Sequence, residues 1–454
     1  MTKEERREKI LTEPIMPLLI KTAIPTIIGM LVTMIYNLTD TFFIGLLGNK
    51  SMTAAIGIVF SFVSFVQALG FWFGYGSGNT MSRCLGKKDD KEAAVVSSTG
   101  IVLSIVTGIV LAIIIYFFND SFVTFLGAGV SPMLKDYTGA YLKVMLFAMP
   151  FSLYATTLYN QLRLCGNVKD GITGLMIGMI SNMILDPIFI FVFKMGFIGT
   201  ARATFTGQVI GAVILTFLSM THGNIPVRLT LFSIRQKRLY HILAGGAPNF
   251  SRQAITSIAA ILLNIQAAFY GEETIAAITV ASRISALFYM IVIGWGQGFQ
   301  PICAMNYGAE QYDRVKKALR SSALVGTIFL IFATILLWFF ATPLAAMLSK
   351  NEDVIELSSV CLRISCISLP FMGIYALSSM FTQNIGKYLT ALIISIARQG
   401  IFYIPLLYII PLLFKAFDLN ERTGLFFVQP VADIFAFILG LILMKKYYDS
   451  LSST

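Results

Sequence analysis

Twelve long apolar runs, separated by short polar connectors, constrain this chain more than any other feature of its sequence. Each run is long enough to cross a hydrocarbon core of about 30 Å as a helix. A backbone inside a bilayer must satisfy its own hydrogen bonds, so these runs predict helices rather than open strands. We therefore expect an all-α polytopic membrane protein with twelve transmembrane helices. The predicted spans cover residues 17–47, 53–84, 93–119, 137–165, 170–193, 199–221, 238–270, 274–305, 315–341, 355–385, 388–414 and 423–444.

The composition supports this class and gives an orientation. Of the 454 residues, 56% are hydrophobic and only 13% are charged, which excludes an ordinary soluble domain. A net charge of +11 could favour nucleic acid as a partner, but Lys and Arg concentrate in alternate connectors. This pattern follows the positive-inside rule, so both termini are expected in the cytoplasm of a bacterium. The charged start of the chain, residues 2–13, shows no cleavable signal.

The two halves of the chain repeat each other. The motif GYG at 74–76 matches GQG at 296–298, and Gly86 matches Gly308, all with an offset of 222 residues. An even number of spans separates these pairs, which predicts two parallel, pseudo-symmetric six-helix lobes. The predicted lobes are residues 1–221 and 238–454, joined by a cytoplasmic linker at 222–237.

The glycine-rich segments at 70–78 and 294–298 superficially resemble phosphate-binding loops. No strand precedes either segment, and neither is followed by Lys and then Ser or Thr, so nucleotide binding is not expected. Close approach of neighbouring helices in spans two and eight explains the glycines better.

The first span contains a carboxylate, Asp40, inside an otherwise apolar stretch. A charge near the centre of a bilayer costs roughly 2.5–3.5 kcal/mol, so such a group commonly binds a cation or a proton. The alternative is an Asp that points into a loop at the helix end. Tyr36 and Asn37 lie one helical turn before Asp40 and share its face. Pro25 lies earlier in the span and is a candidate hinge, because proline removes a backbone donor.

A second intramembrane acid, Asp186, lies in span five. Asn182 precedes it by four residues and shares its helical face. Pro187 follows directly and disfavours a regular helix there, which frees carbonyl groups. Other roles remain open: Asp186 could cap a helix at the membrane surface, and Asn182 could bond to a neighbouring helix.

Several motifs are informative about the family. They are YNLTDTFFIG in span one, GNTMSRCLGKKDDKEA after span two, RLCGNVKDG between spans four and five, NMILDPIFIF in span five, GFIGTARATF after it, and PICAMNYGAEQYDRVKKA in the second half. Over nearly the whole chain, they resemble the MATE family, the multidrug and toxic compound extrusion transporters. Within the family, Asp40 and the N-x-x-x-D-P motif are similar to the DinF-like prokaryotic branch.

This resemblance implies a MATE/MOP-type fold of two six-helix lobes around a central cavity, and alternating access. It also implies a cation site in the N-terminal lobe. The matching positions are Asp40, Asn182, Asp186 and Thr204. Two carboxylates, an amide oxygen and a hydroxyl suit Na⁺ or a shared proton, although Thr204 could simply bond to its own helix. No other metal site and no cofactor is expected.

The second half departs from other MATE branches, which have acidic residues in spans seven and ten. Here span ten has no acid between Leu357 and Phe381. Asp433 in span twelve is the remaining deep acid, and either a proton site or a helix-packing hydrogen bond would explain it. The intramembrane Arg283 and Arg398 could attract anionic groups or pair within the protein.

Aromatic and methionine side chains in spans two and eight are candidate substrate contacts, although lipid-facing packing is the usual role of such residues. Met and aromatic rings adapt to varied cationic ligands. The candidate cavity residues are Tyr36, Asn37, Phe65, Arg283, Tyr289 and Met290.

The expected function is export of organic, cationic amphiphilic compounds from the cytoplasm by cation-coupled antiport, with H⁺ favoured over Na⁺. The expected partners are small organic substrates and lipid, and the protein is expected to be a monomer. A lipid-linked saccharide flippase of the same superfamily is the alternative, and an uncoupled channel is a further one. No nucleophile, base or Walker arrangement favours an enzyme.

Overall fold

The computed structural model describes residues 2–222, 224–225 and 227–451. Within these ranges, the description includes every side chain except those of Asn37, Leu38, Thr41, Lys50 and Val130. The described residues form a succession of α-helices. They are α1 (Lys3–Thr12), α2 (Ile15–Gly45), α3 (Lys50–Gly86), α4 (Asp90–Phe117), α5 (Asn119–Phe125), α6 (Pro132–Leu164), α7 (Val168–Pro187), α8 (Phe197–Met220), α9 (Gln236–Ala268), α10 (Glu272–Gly308), α11 (Tyr312–Phe339), α12 (Ala341–Leu348), α13 (Glu352–Cys366), α14 (Leu369–Asn384), α15 (Tyr388–Ile396), α16 (Ile404–Ala416) and α17 (Glu421–Ser450).

The predicted spans are confirmed as helices. Within the described ranges, ten helical segments are long and apolar enough to cross a membrane, with α15–α16 counted as one. The pair α13–α14, bent by 53°, gives one more. Helix α9 is of similar length but carries Arg252, Gln253, Asn264 and Gln266 in its second half. With α9 included, these segments match the twelve spans expected from the sequence, and the protein is a multi-pass membrane protein.

The chain divides into two compact units. The first contains Met1–Glu13 and Ile28–Phe250, and the second contains Pro14–Ile27 and Ser251–Thr454. The boundaries fall inside two helices, so α2 and α9 each contribute residues to both units. The lobe limits expected from the repeat, 1–221 and 238–454, stay a prediction. Each unit has its own apolar core, with buried residues from 44–201 in the first and from 259–436 in the second.

The glycine clusters mark close helix packing inside each unit, as expected. In the first unit, a Cβ atom on Gly76 of α3 would lie 1.8 Å from the carbonyl oxygen of Ile242 in α9. In the second unit, a Cβ atom on Gly298 of α10 would lie 2.6 Å from the Cα atom of Ala23 in α2. No larger side chain fits either crossing, so these backbones touch only because both residues are glycine.

Two pairs of features were missed by the sequence analysis. The short helices α5 and α12 follow α4 and α11 at corresponding positions of the two halves. Two π-helical segments, Ile188–Val192 and Ala397–Tyr403, interrupt spans five and eleven. A π-helical turn widens the helix locally and is frequent at functional sites. The first of these segments begins two residues after Asp186, and the second contains Arg398.

Candidate functional site

The two intramembrane acids of the first unit lie together. The carboxyl group of Asp40, in the second half of α2, is within hydrogen-bonding reach of the carboxyl group of Asp186 in α7. Asp186 is 0% exposed, and the Oδ1 atom of Asp40 is buried. The two alternatives weighed for these residues, a loop-facing Asp40 and a surface cap at Asp186, do not describe this arrangement.

Helix α8 supplies the third side of the site through Thr204. Asn182 donates a hydrogen bond from Nδ2 to Thr204 Oγ1 over 3.1 Å, so its amide does bond to a neighbouring helix. Thr204 also donates to its own helix, at the carbonyl oxygen of Thr200 over 3.0 Å. Both side chains are nearly fully buried, at 2% and 4% exposure. The structure therefore brings all four predicted coupling residues into one cluster.

Close packing of α7 on α8 makes this cluster possible. A Cβ atom on Gly207 of α8 would lie 2.8 Å from the Cβ atom of Asn182 and 2.8 Å from the carbonyl oxygen of Gly178. Glycine at position 207 lets the two helices approach until Asn182 reaches Thr204. On α7, the four-residue spacing of Asn182 and Asp186 directs both side chains to this side.

Several oxygen atoms of the cluster are buried without a hydrogen-bond partner in the described part of the chain. They are Asp40 Oδ1, Asn182 Oδ1, Asp186 Oδ1, Asp186 Oδ2 and Thr200 Oγ1. Buried polar atoms are normally paired, since an unmade hydrogen bond costs about 1–3 kcal/mol. Ionised carboxylates and an amide oxygen can only accept. A group of this kind can hold a shared proton or a small hard cation.

Two tyrosines complete the surroundings. Tyr36 of α2 and Tyr141 of α6 lie close to the Thr204 hydroxyl and to both acids. Tyr36 is one of the predicted cavity residues, whereas Tyr141 was missed. Position 141 lies in an apolar run with no acid or amide one turn away, so its sequence surroundings carry no signal for the site.

Pro25 lies inside α2, fifteen residues and about 22 Å before Asp40. The helix continues through it. Two threonines on either side bond to the backbone: Thr22 Oγ1 donates to the carbonyl oxygen of Leu18, and Thr26 Oγ1 to that of Thr22. Proline at position 25 removes the backbone donor that would bond to the carbonyl oxygen of Lys21. These features are compatible with a hinge, and the hinge role stays a prediction.

A role of the other predicted cavity residues in lining a substrate cavity stays a prediction. Phe65 and Arg283 are exposed, Tyr289 and Met290 are half-buried, and the side chain of Asn37 lies outside the described residues. Tyr289 lines a cavity of about 360 Å³ inside the second unit, together with Arg398.

Asp433 belongs to a polar network of the second unit. It accepts hydrogen bonds from Arg398 Nε at 2.7 Å, Gln429 Nε2 at 2.6 Å and Ser368 Oγ at 2.8 Å. The three donors that satisfy this carboxylate lie in the π-helical segment, in the same helix α17 and in the turn between α13 and α14. Of the two alternatives for Asp433, the structure shows the helix-packing hydrogen bond.

Arg163 lies in the last turn of α6, next to the connector that precedes α7. Its side chain is 0% exposed and lies over the ring of Tyr75, 5.0 Å from the centroid. It also donates to Asn160 Oδ1 over 3.1 Å. A buried guanidinium between aromatic rings is a structural element of the first unit. Because Arg163 lies next to a charged connector, its position in the sequence did not indicate a buried structural role.

The helices and the buried polar clusters define an α-helical, polytopic membrane protein that keeps carboxylates inside its apolar spans. Comparison with known proteins identifies its family. The family model described as MatE matches residues 25–188 and 248–409. The chain therefore belongs to the MatE family.

Its relatives cover nearly the whole chain. Multidrug export protein MepA of Staphylococcus aureus strain MSSA476 is 26% identical over 452 residues, which is 99% of this chain and 98% of that protein. Multidrug export protein MepA of Staphylococcus saprophyticus is 27% identical and covers 95% and 93% of the two chains. Among solved structures, an outward-facing MATE family multidrug resistance transporter of the MOP superfamily aligns with a TM-score of 0.89 at 23% identity, covering 98% of each chain. The MATE/MOP-type fold expected from the sequence is confirmed. The closer assignment to the DinF-like branch stays a prediction.

Proposed function

We propose that this protein exports organic, cationic amphiphilic compounds from the bacterial cytoplasm, in exchange for a cation that enters at Asp40 and Asp186. The relatives named as multidrug export proteins support drug export. The carboxyl pair supports the coupling, because a pair of buried acids can be loaded and emptied as the protein changes conformation.

The observation that carries this proposal is the contact between the Asp40 and Asp186 carboxyl groups. Two ionised carboxylates this close repel each other, and neither can donate a hydrogen bond. One proton between them removes the repulsion and makes a hydrogen bond. This arrangement favours H⁺ as the coupling ion. The unpaired oxygens of Asn182 and Thr200 would also serve Na⁺, which is the second candidate.

The same contact indicates how loading would reach the rest of α2. When a proton neutralises the pair, the half of α2 that carries Asp40 is drawn to α7. When the proton leaves, repulsion separates the two acids and loosens this contact. Pro25 is the weakest point of the α2 backbone and is where the helix would bend. In this mechanism, the cationic substrate leaves as the proton enters. The acid pair balances one added positive charge, either that of the proton or that of the substrate, but not both at once.

The test is transport of ethidium into proteoliposomes, with a pH gradient and a Na⁺ gradient imposed in separate experiments. We expect the pH gradient to drive uptake against the ethidium gradient, and Asp40→Asn to abolish it at equal protein content. Asp40→Glu keeps the charge and serves as the control. Gradient-driven uptake that survives in Asp40→Asn would overturn the coupling role. Uptake driven only by a Na⁺ gradient would identify Na⁺, and not H⁺, as the coupling ion. Ethidium flux independent of both gradients would indicate a channel.

A further inference from the structure

The cavity of the second unit is lined by residues other than those of the acid pair. It has a volume of about 360 Å³, within the range of small-molecule pockets. Apolar side chains form much of its wall, among them Leu263, Ile278 and Met372. Its polar side is formed by Tyr289, Arg398 and two glutamines, Gln399 and Gln429. A mainly apolar wall with one polar side fits an amphipathic molecule.

The charge on that polar side is positive. Asp433 is only 3% exposed, and its two oxygens are taken by Arg398, Gln429 and Ser368. The Arg398 side chain is 20% exposed, and only its Nε atom donates a hydrogen bond to Asp433. The two Nη atoms of Arg398 form no hydrogen bond with the described residues, and both atoms remain accessible. The carboxylate is therefore shielded while the outer edge of the guanidinium is available in the cavity.

The guanidinium is also held in place. Its carbon atom lies 5.1 Å from the centre of the Tyr289 ring, and Asp433 fixes its other edge. A planar guanidinium edge with one free N–H group on each Nη atom matches the two oxygens of a carboxylate. Ser285 adds a hydroxyl that lines the same cavity and is buried without a partner in the described chain.

We propose that this cavity binds the carboxylate of an aromatic or otherwise apolar monocarboxylate, with Arg398 Nη atoms as the anchor and the apolar wall around its ring system. The inference rests on the export function proposed above, to which it adds a carboxylate-bearing substrate class. Substrates that carry both a carboxylate and a cationic group are included. Asp433 and Tyr289 act as positioning residues for Arg398.

The test compares two ligands that differ only at the carboxylate: dansylglycine and dansylglycine methyl ester. Binding is measured by equilibrium dialysis against the full-length protein in lipid nanodiscs, with empty nanodiscs as the blank for partition into lipid. We expect the acid to bind about tenfold more tightly than the ester, as a charge-assisted hydrogen bond implies. Arg398→Gln should bring this ratio close to one by weakening only the acid. Arg398→Lys keeps the charge without the planar edge and should retain part of the ratio.

Arg363→Gln is the matched control. Arg363 is an arginine of the same unit whose guanidinium donates to the carbonyl oxygen of Trp338 and to Thr342, outside the cavity. Its loss removes the same charge and should leave the ratio unchanged. Equal binding of acid and ester by the unmodified protein, or a ratio that survives Arg398→Gln, overturns the proposal. If Arg398→Gln also loses the ester, Ser285→Ala decides: a ratio reduced about threefold supports the site, and an unchanged ratio contradicts it.

This measurement is independent of coupling. Asp40→Asn should lose gradient-driven transport and keep the preference for the acid. Arg363→Gln should keep both the acid preference and proton-driven ethidium transport. Failure of the carboxylate site therefore leaves the efflux proposal standing, and failure of coupling leaves the carboxylate site standing.

Discussion

Asn182 donates to Thr204 over 3.1 Å, and Thr204 donates onward to the carbonyl oxygen of Thr200 over 3.0 Å. The direction of this chain fixes the amide of Asn182, with its nitrogen toward α8. The Oδ1 atom is left buried, and no described residue donates to it. The amide oxygen is therefore available to the acid pair only while Thr204 holds the nitrogen.

Thr204→Val tests this orientation. Valine keeps the shape of threonine but removes the acceptor of the Asn182 amide, which can then turn. One hydrogen bond is worth about 0.5–1.5 kcal/mol, so the half-saturating concentration of the coupling ion should rise about 3- to 10-fold. The maximal rate of ethidium transport in proteoliposomes should change less. Thr204→Ser keeps the hydroxyl and should behave like the unmodified protein. An unchanged ion affinity in the valine variant would contradict the proposed role of Asn182.

Asp40 and Asp186 are expected to act as one unit. Asp40→Asn and Asp186→Asn should each reduce gradient-driven ethidium uptake by at least about 100-fold, because one remaining carboxylate cannot share a proton with an amide in the same way. The double variant should be no slower than either single variant. Ethidium exchange without a gradient, measured in the same liposomes, should persist and shows that the variants are folded. Losses that multiply in the double variant would indicate two independent sites.

The sequence predicted the acidic and amide residues of the candidate cation site better than the side chains that surround them. Asp40 and Asp186 stand out because a charge in an apolar span is costly, and the spacing of Asn182 and Asp186 places them on one face. Helix limits followed from the length of the apolar runs. Tyr141 was missed because an isolated tyrosine in an apolar span carries no such cost and is equally common in a protein core.

Other features depend on contacts between segments far apart in the chain. Arg163 is next to a basic connector, and nothing in the sequence near it shows that Tyr75 covers it. The assignment of Pro14–Ile27 to the second unit depends on packing against α10 at Gly294 and Gly298. A repeat in the sequence indicates two similar halves, but it does not indicate which half each part of a long helix contacts.

The packing of α7 on α8 gives a prediction about stability. Gly207→Ala would place a Cβ atom 2.8 Å from Asn182 and must push the helices apart. Overpacking of this kind typically costs about 1–3 kcal/mol. We expect a lower unfolding temperature in detergent and weaker ion affinity, because Asn182 leaves Thr204. Gly57→Ala in α3 is the control, since no atom lies within 4 Å of the added carbon. A Gly207→Ala protein as stable as the control would show that the crossing is not tight.

The Arg398–Asp433 pair gives a prediction about the free energy of unfolding, which tests whether Asp433 holds Arg398 in place. Asp433→Leu leaves the guanidinium and Gln429 without their acceptor, so it should lower the free energy of unfolding by about 2–4 kcal/mol, less than for a fully buried pair because Arg398 is partly exposed. Adding Arg398→Met removes the unpaired charge and should recover part of this loss, although it deletes a second polar group. Thermal unfolding of the single and double variants in one detergent measures both values. If the double variant loses the sum of the two single losses, the two side chains are not coupled, and Asp433 is not what holds Arg398 in place.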